Sequence, residues 1–102
     1  MISYLFGKIH TLNEKYATVI TNSGVGYKVF LPLNILLSKN KNENIEIFIQ
    51  TIVKDDSIDL YGFLEEKELF LFEKLIKVSG VGPKSAMLML SNNSVENISK
   101  AI

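Results

Sequence analysis

The chain has 102 residues with 11 basic and 11 acidic side chains and one His, so its formal net charge at pH 7 is zero. Apolar residues make up 47%, enough for one small core or a small barrel with a helical appendage, but not for two large domains. The absence of Cys excludes disulfides, thiolate nucleophiles and sulfur-ligated zinc, the single His excludes a multi-histidine metal site, and no apolar run approaches the roughly 18 residues of a membrane span.

Residues 1–62 read as all-β. Residues 2–12 form a long, bent strand, with Gly7 the natural place for a bulge or tight curvature. A turn at Asn13-Glu14-Lys15 leads into a strand over 16–21, and Asn22-Ser23-Gly24 turns again before an alternating strand over 26–31 that Pro32 ends. Residues 33–37 make at most a short helical turn, and 38–44 are a polar loop. The cleanest strand is 45–53, with Ile45, Ile47, Ile49 and Val53 expected on one face and Glu46 and Gln50 on the other. Lys54-Asp55-Asp56-Ser57 is a hairpin loop, and the chain returns over 58–61. Five short strands, the first long and bent, suit a small closed barrel that leaves no open edge; a small open sandwich is the alternative.

After Gly62 the period becomes helical. Over 64–77, Leu69, Phe72 and Ile76 share a face with Leu71 and Leu75 beside them, and Glu65, Glu66 and Glu68 stand where the helix dipole favours acids. Residues 78–82 form a tight loop, Pro83 suits the first position of a second helix to about residue 90, and Ser91-Asn92-Asn93 breaks it. Ser94 is placed to cap a short third helix through Ala101. The last residues, Ser99-Lys100-Ala101-Ile102, carry neither a helix cap nor a polar tail, so the chain is expected to be the front part of a longer protein. Its N-terminus reads as a strand, not a secretory leader, so a cytoplasmic location is expected.

The neutral total conceals three charge blocks. Residues 1–54 carry a balance of +3, residues 55–73 a balance of −6, and residues 74–102 a balance of +3. All basic residues are Lys, so the bidentate reading of guanine by arginine is unavailable, while the two basic blocks leave room for a nucleic-acid partner.

The strongest local signal is Leu75-Ile76-Lys77-Val78-Ser79-Gly80-Val81-Gly82-Pro83-Lys84-Ser85-Ala86: a helix, a Gly-apolar-Gly hairpin, and a second helix with a small residue where the two cross. Gly80 and Gly82 permit backbone angles or approaches that a Cβ would block. Val81 turns inward to lock the hairpin. The second helix opens with unpaired N–H groups that accept a phosphate oxygen, and Lys84 adds charge beside them, as does Lys77 from the other limb. Lys77, Ser79, Gly80, Val81, Gly82, Lys84 and Ser85 thus form a candidate site for sugar-phosphate backbone, indifferent to base sequence. The competing reading is a plain corner in which the glycines serve geometry alone. The triplet is weak by itself, since Gly24-Val25-Gly26 repeats it ahead of a strand. A nucleotide loop is disfavoured, because no strand precedes the glycines and no Gly-Lys-Ser/Thr follows. Tyr4, Phe6, Tyr16, Tyr27 and Phe48 serve equally as core, as subunit contacts or as a single-strand stacking surface. His10 has no ligand partners and reads as a surface or turn residue.

Tyr4 to Gly7, the Gly24-Val25-Gly26-Tyr27 turn, Asp55-Asp56 followed by Leu60-Tyr61-Gly62-Phe63, and Leu75 to Ala86 together resemble the RuvA family, the Holliday-junction-binding subunits of the bacterial RuvA-RuvB-RuvC branch-migration and resolution machinery. The resemblance covers essentially the whole chain. It implies a five-stranded OB-fold barrel over 1–62, used for oligomerisation, and the first part of a helix-hairpin-helix DNA-binding domain over 63–102. It also implies a homotetramer that holds an open, square-planar four-way junction as one or two tetramers per junction. The RuvB motor would be contacted through a C-terminal domain beyond these residues, with the RuvC resolvase as a further partner, in DNA repair, recombination and the SOS response.

Asp55 and Asp56, by themselves solvated turn residues, become under this resemblance an acidic pin: four copies around a symmetry axis would repel phosphates from the junction centre. No catalytic residue, cofactor, metal or membrane partner is expected. Two other functions stay open at this stage, a barrel-plus-helices protein adaptor and a general single-strand binder.

Overall fold

The structure, a computed structural model, describes residues 1–92. Five strands, β1 (Tyr4–Leu12), β2 (Tyr16–Ile20), β3 (Gly26–Phe30), β4 (Asn44–Val53) and β5 (Ile58–Phe63), close into a barrel in the order β1-β2-β3-β5-β4. The short helix α1 (Leu33–Ser38) joins β3 to β4, and α2 (Glu66–Ile76) and α3 (Pro83–Asn92) follow the barrel. The third helix expected over 94–101 lies outside the described residues.

Closure depends on β1 serving two neighbours. Tyr4 to Lys8 pair with β4 and Lys8 to Leu12 with β2. The strand's inward positions are Leu5, Gly7 and Ile9, and a Cβ on Gly7 would collide with the Ile20 carbonyl oxygen at the end of β2. Gly7, expected as the place of a bulge or tight curvature, therefore provides close approach, while the register irregularity falls further along, between Ile9 and Thr11. The turn into β2 is held by Asn13, whose Oδ1 accepts the N–H groups of Lys15 at 2.8 Å and Tyr16 at 2.9 Å. Every neighbouring pair in the barrel is antiparallel except β3 and β5, which run parallel.

Period-two alternation fills the interior with Ala17 and Val19 of β2, Val29 of β3 and Ile45, Ile47 and Ile49 of β4, and Leu36 of α1 joins that core. Val53, expected on the inner face of β4, is 57% exposed instead. By that point β4 pairs with β5 in the stem of a projecting hairpin, Val53 opposite Ile58, and no barrel interior lies beneath it. Gly62 takes an interior position where a Cβ would strike the Ile47 Cγ2 methyl and stand 2.7 Å from Val29 Cγ1.

A second core joins barrel to helices. Tyr61 and Phe63 of β5 pack with Leu71, Phe72 and Leu75 of α2 and with Ala86, Met87 and Leu90 of α3. The buried stripe of α2 centres on Leu71, Phe72 and Leu75, with Leu69 and Ile76 at its edges and Phe70 exposed. This is a rotation of the expected face, because α2 packs on β5 with one side and α3 with the next. Helix α2 starts without a side-chain cap, as the absence of Ser, Thr, Asp or Asn before Glu65 requires. In its first turn, burial, with the negative charge of Glu65 as a smaller contribution, raises the Glu68 carboxyl above its ordinary range.

Ser91 does not end α3. Its hydroxyl donates to the Met87 carbonyl at 2.8 Å, one turn back, and accepts the Leu33 N–H at the start of α1 at 2.9 Å. A residue read as a helix breaker thus fastens α3 to the barrel's own helix.

Phe72→Ala is expected to destabilise the chain by about 3–5 kcal/mol, since it empties the core shared by both units. Gly62→Ala is expected to cost roughly 1–3 kcal/mol by overpacking the barrel. Urea denaturation followed by circular dichroism measures both.

Candidate nucleic-acid interface

The loop between α2 and α3 is built from backbone hydrogen bonds. The Lys77 and Val78 N–H groups bond to the Lys74 and Leu75 carbonyls at 3.2 and 3.0 Å, tightening the end of α2, and the Val81 N–H reaches the Val78 carbonyl at 3.1 Å. Gly80 adopts φ +84°, a left-handed conformation that an L side chain resists. The Ala86 N–H bonds to the Gly82 carbonyl at 3.0 Å, so Gly82 caps α3 and the N–H groups of Lys84 and Ser85 precede the first intrahelical bond. Pro83, at the first helical position, has no N–H to leave unpaired.

Lys77, Ser79, Gly80, Gly82, Lys84 and Ser85 all face solvent, whereas Val81 is half-buried against the α2–α3 core. Ala86, 0% exposed, is the small residue at the crossing. The two glycines differ in kind. Gly80 is required by its backbone angle. Gly82 has no positive φ, and a Cβ there would meet nothing within 4 Å, so no contact among the described residues accounts for it. It leaves the surface beside the opening of α3 without a Cβ at position 82.

Asp55 and Asp56 lie exposed at the tip of the β4–β5 hairpin, closed by the Lys54 N–H bonded to the Ser57 carbonyl at 2.8 Å. Val53 and Ile58, the last pair beneath the tip, are 57% and 69% exposed, so the acidic tip stands on an apolar stem. The candidate residues therefore form two separate features, a basic hairpin on the helices and an acidic tip on the barrel.

The aromatic side chains do not form one row. Tyr4 packs on Phe48 on the outer face of β1 and β4, where its hydroxyl donates to Glu46 at 2.8 Å, and Tyr27 packs against the barrel core. Tyr16 and Phe30 face each other across β2 and β3. Here sequence reasoning missed a feature. A groove of about 520 Å³ runs between that face and α3, and Lys15, Lys28 and Lys84 line it with Glu14. The Lys28 ammonium sits 4.4 Å from the centre of the Tyr16 ring and 5.3 Å from that of Phe30. The alternation of β2 and β3, read together, would have placed Tyr16, Lys28 and Phe30 on one outer face, but nothing local brings α3 and Lys84 over it.

Among the described residues no three His, Asp or Glu side chains gather as a metal site, and no helix is long and apolar enough to cross a membrane.

A closed five-stranded barrel of OB type followed by a helix-hairpin-helix defines a class of nucleic-acid-associated folds. The comparisons with known proteins are more specific. The RuvA N terminal domain family matches residues 1–62, and the SAM-like helix-hairpin-helix tandem family matches residues 72–102. The chain is 41% identical over 102 residues to the Holliday junction branch migration complex subunit RuvA of Thermodesulfovibrio yellowstonii, 43% over 103 residues to that of Clostridium beijerinckii, and 35% over 102 residues to that of Leuconostoc mesenteroides. Each match covers 100% of this chain and 53%, 52% and 51%, respectively, of the relative. The chain belongs to the RuvA family, and it spans about half the length of the curated relatives it matches.

Gly82→Ala is expected to leave stability within about 0.5 kcal/mol of wild type, whereas Gly80→Ala is expected to cost roughly 1–2 kcal/mol. Paired thermal denaturation curves separate the two.

Proposed function

We propose that this chain binds four-way junction DNA by structure and not by sequence, as a non-catalytic scaffold. In this reading residues 1–62 are the oligomerising barrel and residues 63–102 the first part of the DNA-binding unit. The observation that carries it is Gly82: an exposed glycine for which no contact among the described residues accounts, at the mouth of a helix whose first amides precede the intrahelical bonds and are flanked by Lys84. A phosphate oxygen is the acceptor that such a surface fits, through hydrogen bonds and charge without reference to base edges. The relatives are named as subunits of the Holliday junction branch migration complex, which gives the DNA its four-way form in this proposal.

The mechanism is electrostatic positioning. Lys77, Lys84 and the amides at the start of α3 hold a phosphate of one arm. One hairpin binds weakly and with steep salt dependence, because duplex affinity rests on phosphate neutralisation. Four subunits around an axis would engage four arms at once, and multivalency would turn weak contacts into a stable complex. Asp55 and Asp56, brought to that axis, would repel phosphates from the crossover and keep the strands apart. The scaffold would act in the bacterial cytoplasm in recombination and repair, as one or two tetramers per junction. It would present the DNA to the ATP-driven RuvB motor and to the RuvC resolvase. No group-transfer step is assigned to this chain.

In native-gel titrations in low salt with EDTA, stepwise complexes are expected with a synthetic four-way junction at concentrations that leave an equal-length linear duplex largely free. Gly82→Ala combined with Lys84→Ala is expected to abolish those complexes while the fold survives. Equal affinity for junction and duplex, or binding indifferent to the hairpin, would favour the single-strand binder or the protein adaptor. Asp55→Asn with Asp56→Asn is expected to raise affinity for linear duplex; an unchanged duplex affinity would remove the repulsive role of the tip.

A further inference from the structure

We propose that the groove between the barrel and α3 is a second phosphate-binding site, in which Lys15 and Lys28 of the barrel join Lys84 of the hairpin to hold the backbone of the same DNA arm. The inference rests on the reading that the hairpin binds DNA, and extends the contact from Lys84 of the hairpin onto the barrel wall at Lys15 and Lys28.

Charge is the first support. Three ammonium groups and one carboxylate, Glu14, line the groove. Among the described residues the ion pairs are Lys39–Glu43 at 3.2 Å and Lys67–Glu65 at 3.6 Å, both elsewhere, so the three lysines are left without an acidic partner. Such unneutralised cations in a concave site are complementary to an anion.

The rings decide which part of a nucleic acid fits. Base stacking needs an open aromatic face. Lys28 lies over Tyr16, Phe30 stacks on Tyr61 with centroids 5.2 Å apart, and Tyr61 is only 2% exposed. What the groove offers is an ammonium held in place by two rings, whose side-chain freedom is already restricted before binding. That arrangement suits a phosphodiester and not an unstacked base.

Position gives the third support. Lys84 belongs both to the hairpin and to the groove, so a strand whose phosphate rests on the α3 amides continues beside Lys28. Lys15 stands in the turn between β1 and β2, and Lys28 on β3. These are the parts of an OB barrel, the first connecting loop and the second and third strands, that most often carry ligands.

The test is the salt dependence of four-way-junction binding by the chain and by Lys15→Ala/Lys28→Ala, with thermal melting and sizing as controls for fold and assembly. Loss of two phosphate contacts per subunit is expected to reduce the slope of log affinity against log salt by about two for each subunit bound, and to weaken binding at least about tenfold at roughly 0.1 M salt. Lys28→Arg, which keeps the cation over the rings, is expected to retain the wild-type slope. An unchanged slope in the double variant overturns the proposal, and so does an unchanged slope with altered assembly, which would assign the groove to a protein neighbour. If Gly82→Ala/Lys84→Ala abolishes binding while Lys15→Ala/Lys28→Ala does not change it, only this inference fails. If the unaltered chain binds no DNA at all, the hairpin reading fails and this one with it.

Discussion

Four aromatic rings hold the two halves of the molecule in one orientation. Phe30 on the barrel wall stacks on Tyr61, Tyr61 stacks on Phe72 of α2 with centroids 5.4 Å apart, and Phe72 meets Phe63 at 5.1 Å. Tyr61, Phe63 and Phe72 are each no more than 2% exposed. Such contacts combine a large buried area with a preferred ring geometry, which a set of aliphatic side chains would not impose. Ser91 adds a directional link at the far end of α3, through the Leu33 amide. The angle at which the hairpin leaves the barrel is therefore fixed twice, by ring packing at one end and a hydrogen bond at the other. In the proposed scaffold role, recognition of DNA shape would depend on that angle more than on any single contact, because phosphate contacts set position and orientation without reading bases.

The charge distribution becomes intelligible on this frame. Five of the seven acids of the acidic block lie at the exposed β4–β5 tip and around the start of α2, and basic side chains occupy the hairpin and the groove beside it. A chain neutral in total thus carries a local field of each sign, and net charge alone is a poor guide to its partners. Two exposed glycine environments show the same economy. Gly80 answers to the geometry of the turn, whereas Gly82 meets no such demand among the described residues and would gain its purpose, in the proposed function, from a phosphate outside the chain.

Much of this was legible in the sequence, for reasons that differ from part to part. The strands of the barrel followed from period-two alternation and turn residues, and the hairpin from glycines between two helical patterns with Pro at the start of the second. Features set by tertiary crossing were not legible. Gly7 was recognisable as a special position, but only the passage of Ile20 above it shows that it provides space and not a bulge. Val53 follows the pattern of an inward residue and is exposed because β4 outruns the barrel. Ser91 resembles a helix breaker and instead bonds across 58 residues of sequence. Nothing local in the sequence signals that α3 stands beside Lys15 and Lys28.

In the proposed function, the oriented hairpin, repeated around an axis, would impose an open form on branched DNA. Fluorescence energy transfer between dyes on neighbouring arm ends of a four-way junction reads this directly, in magnesium, where free arms stack in pairs. The account predicts that adding the chain brings the transfer efficiencies of all neighbouring arm pairs to a common value, as a square arrangement requires. A bound junction that keeps the unequal efficiencies of stacked arms would contradict it.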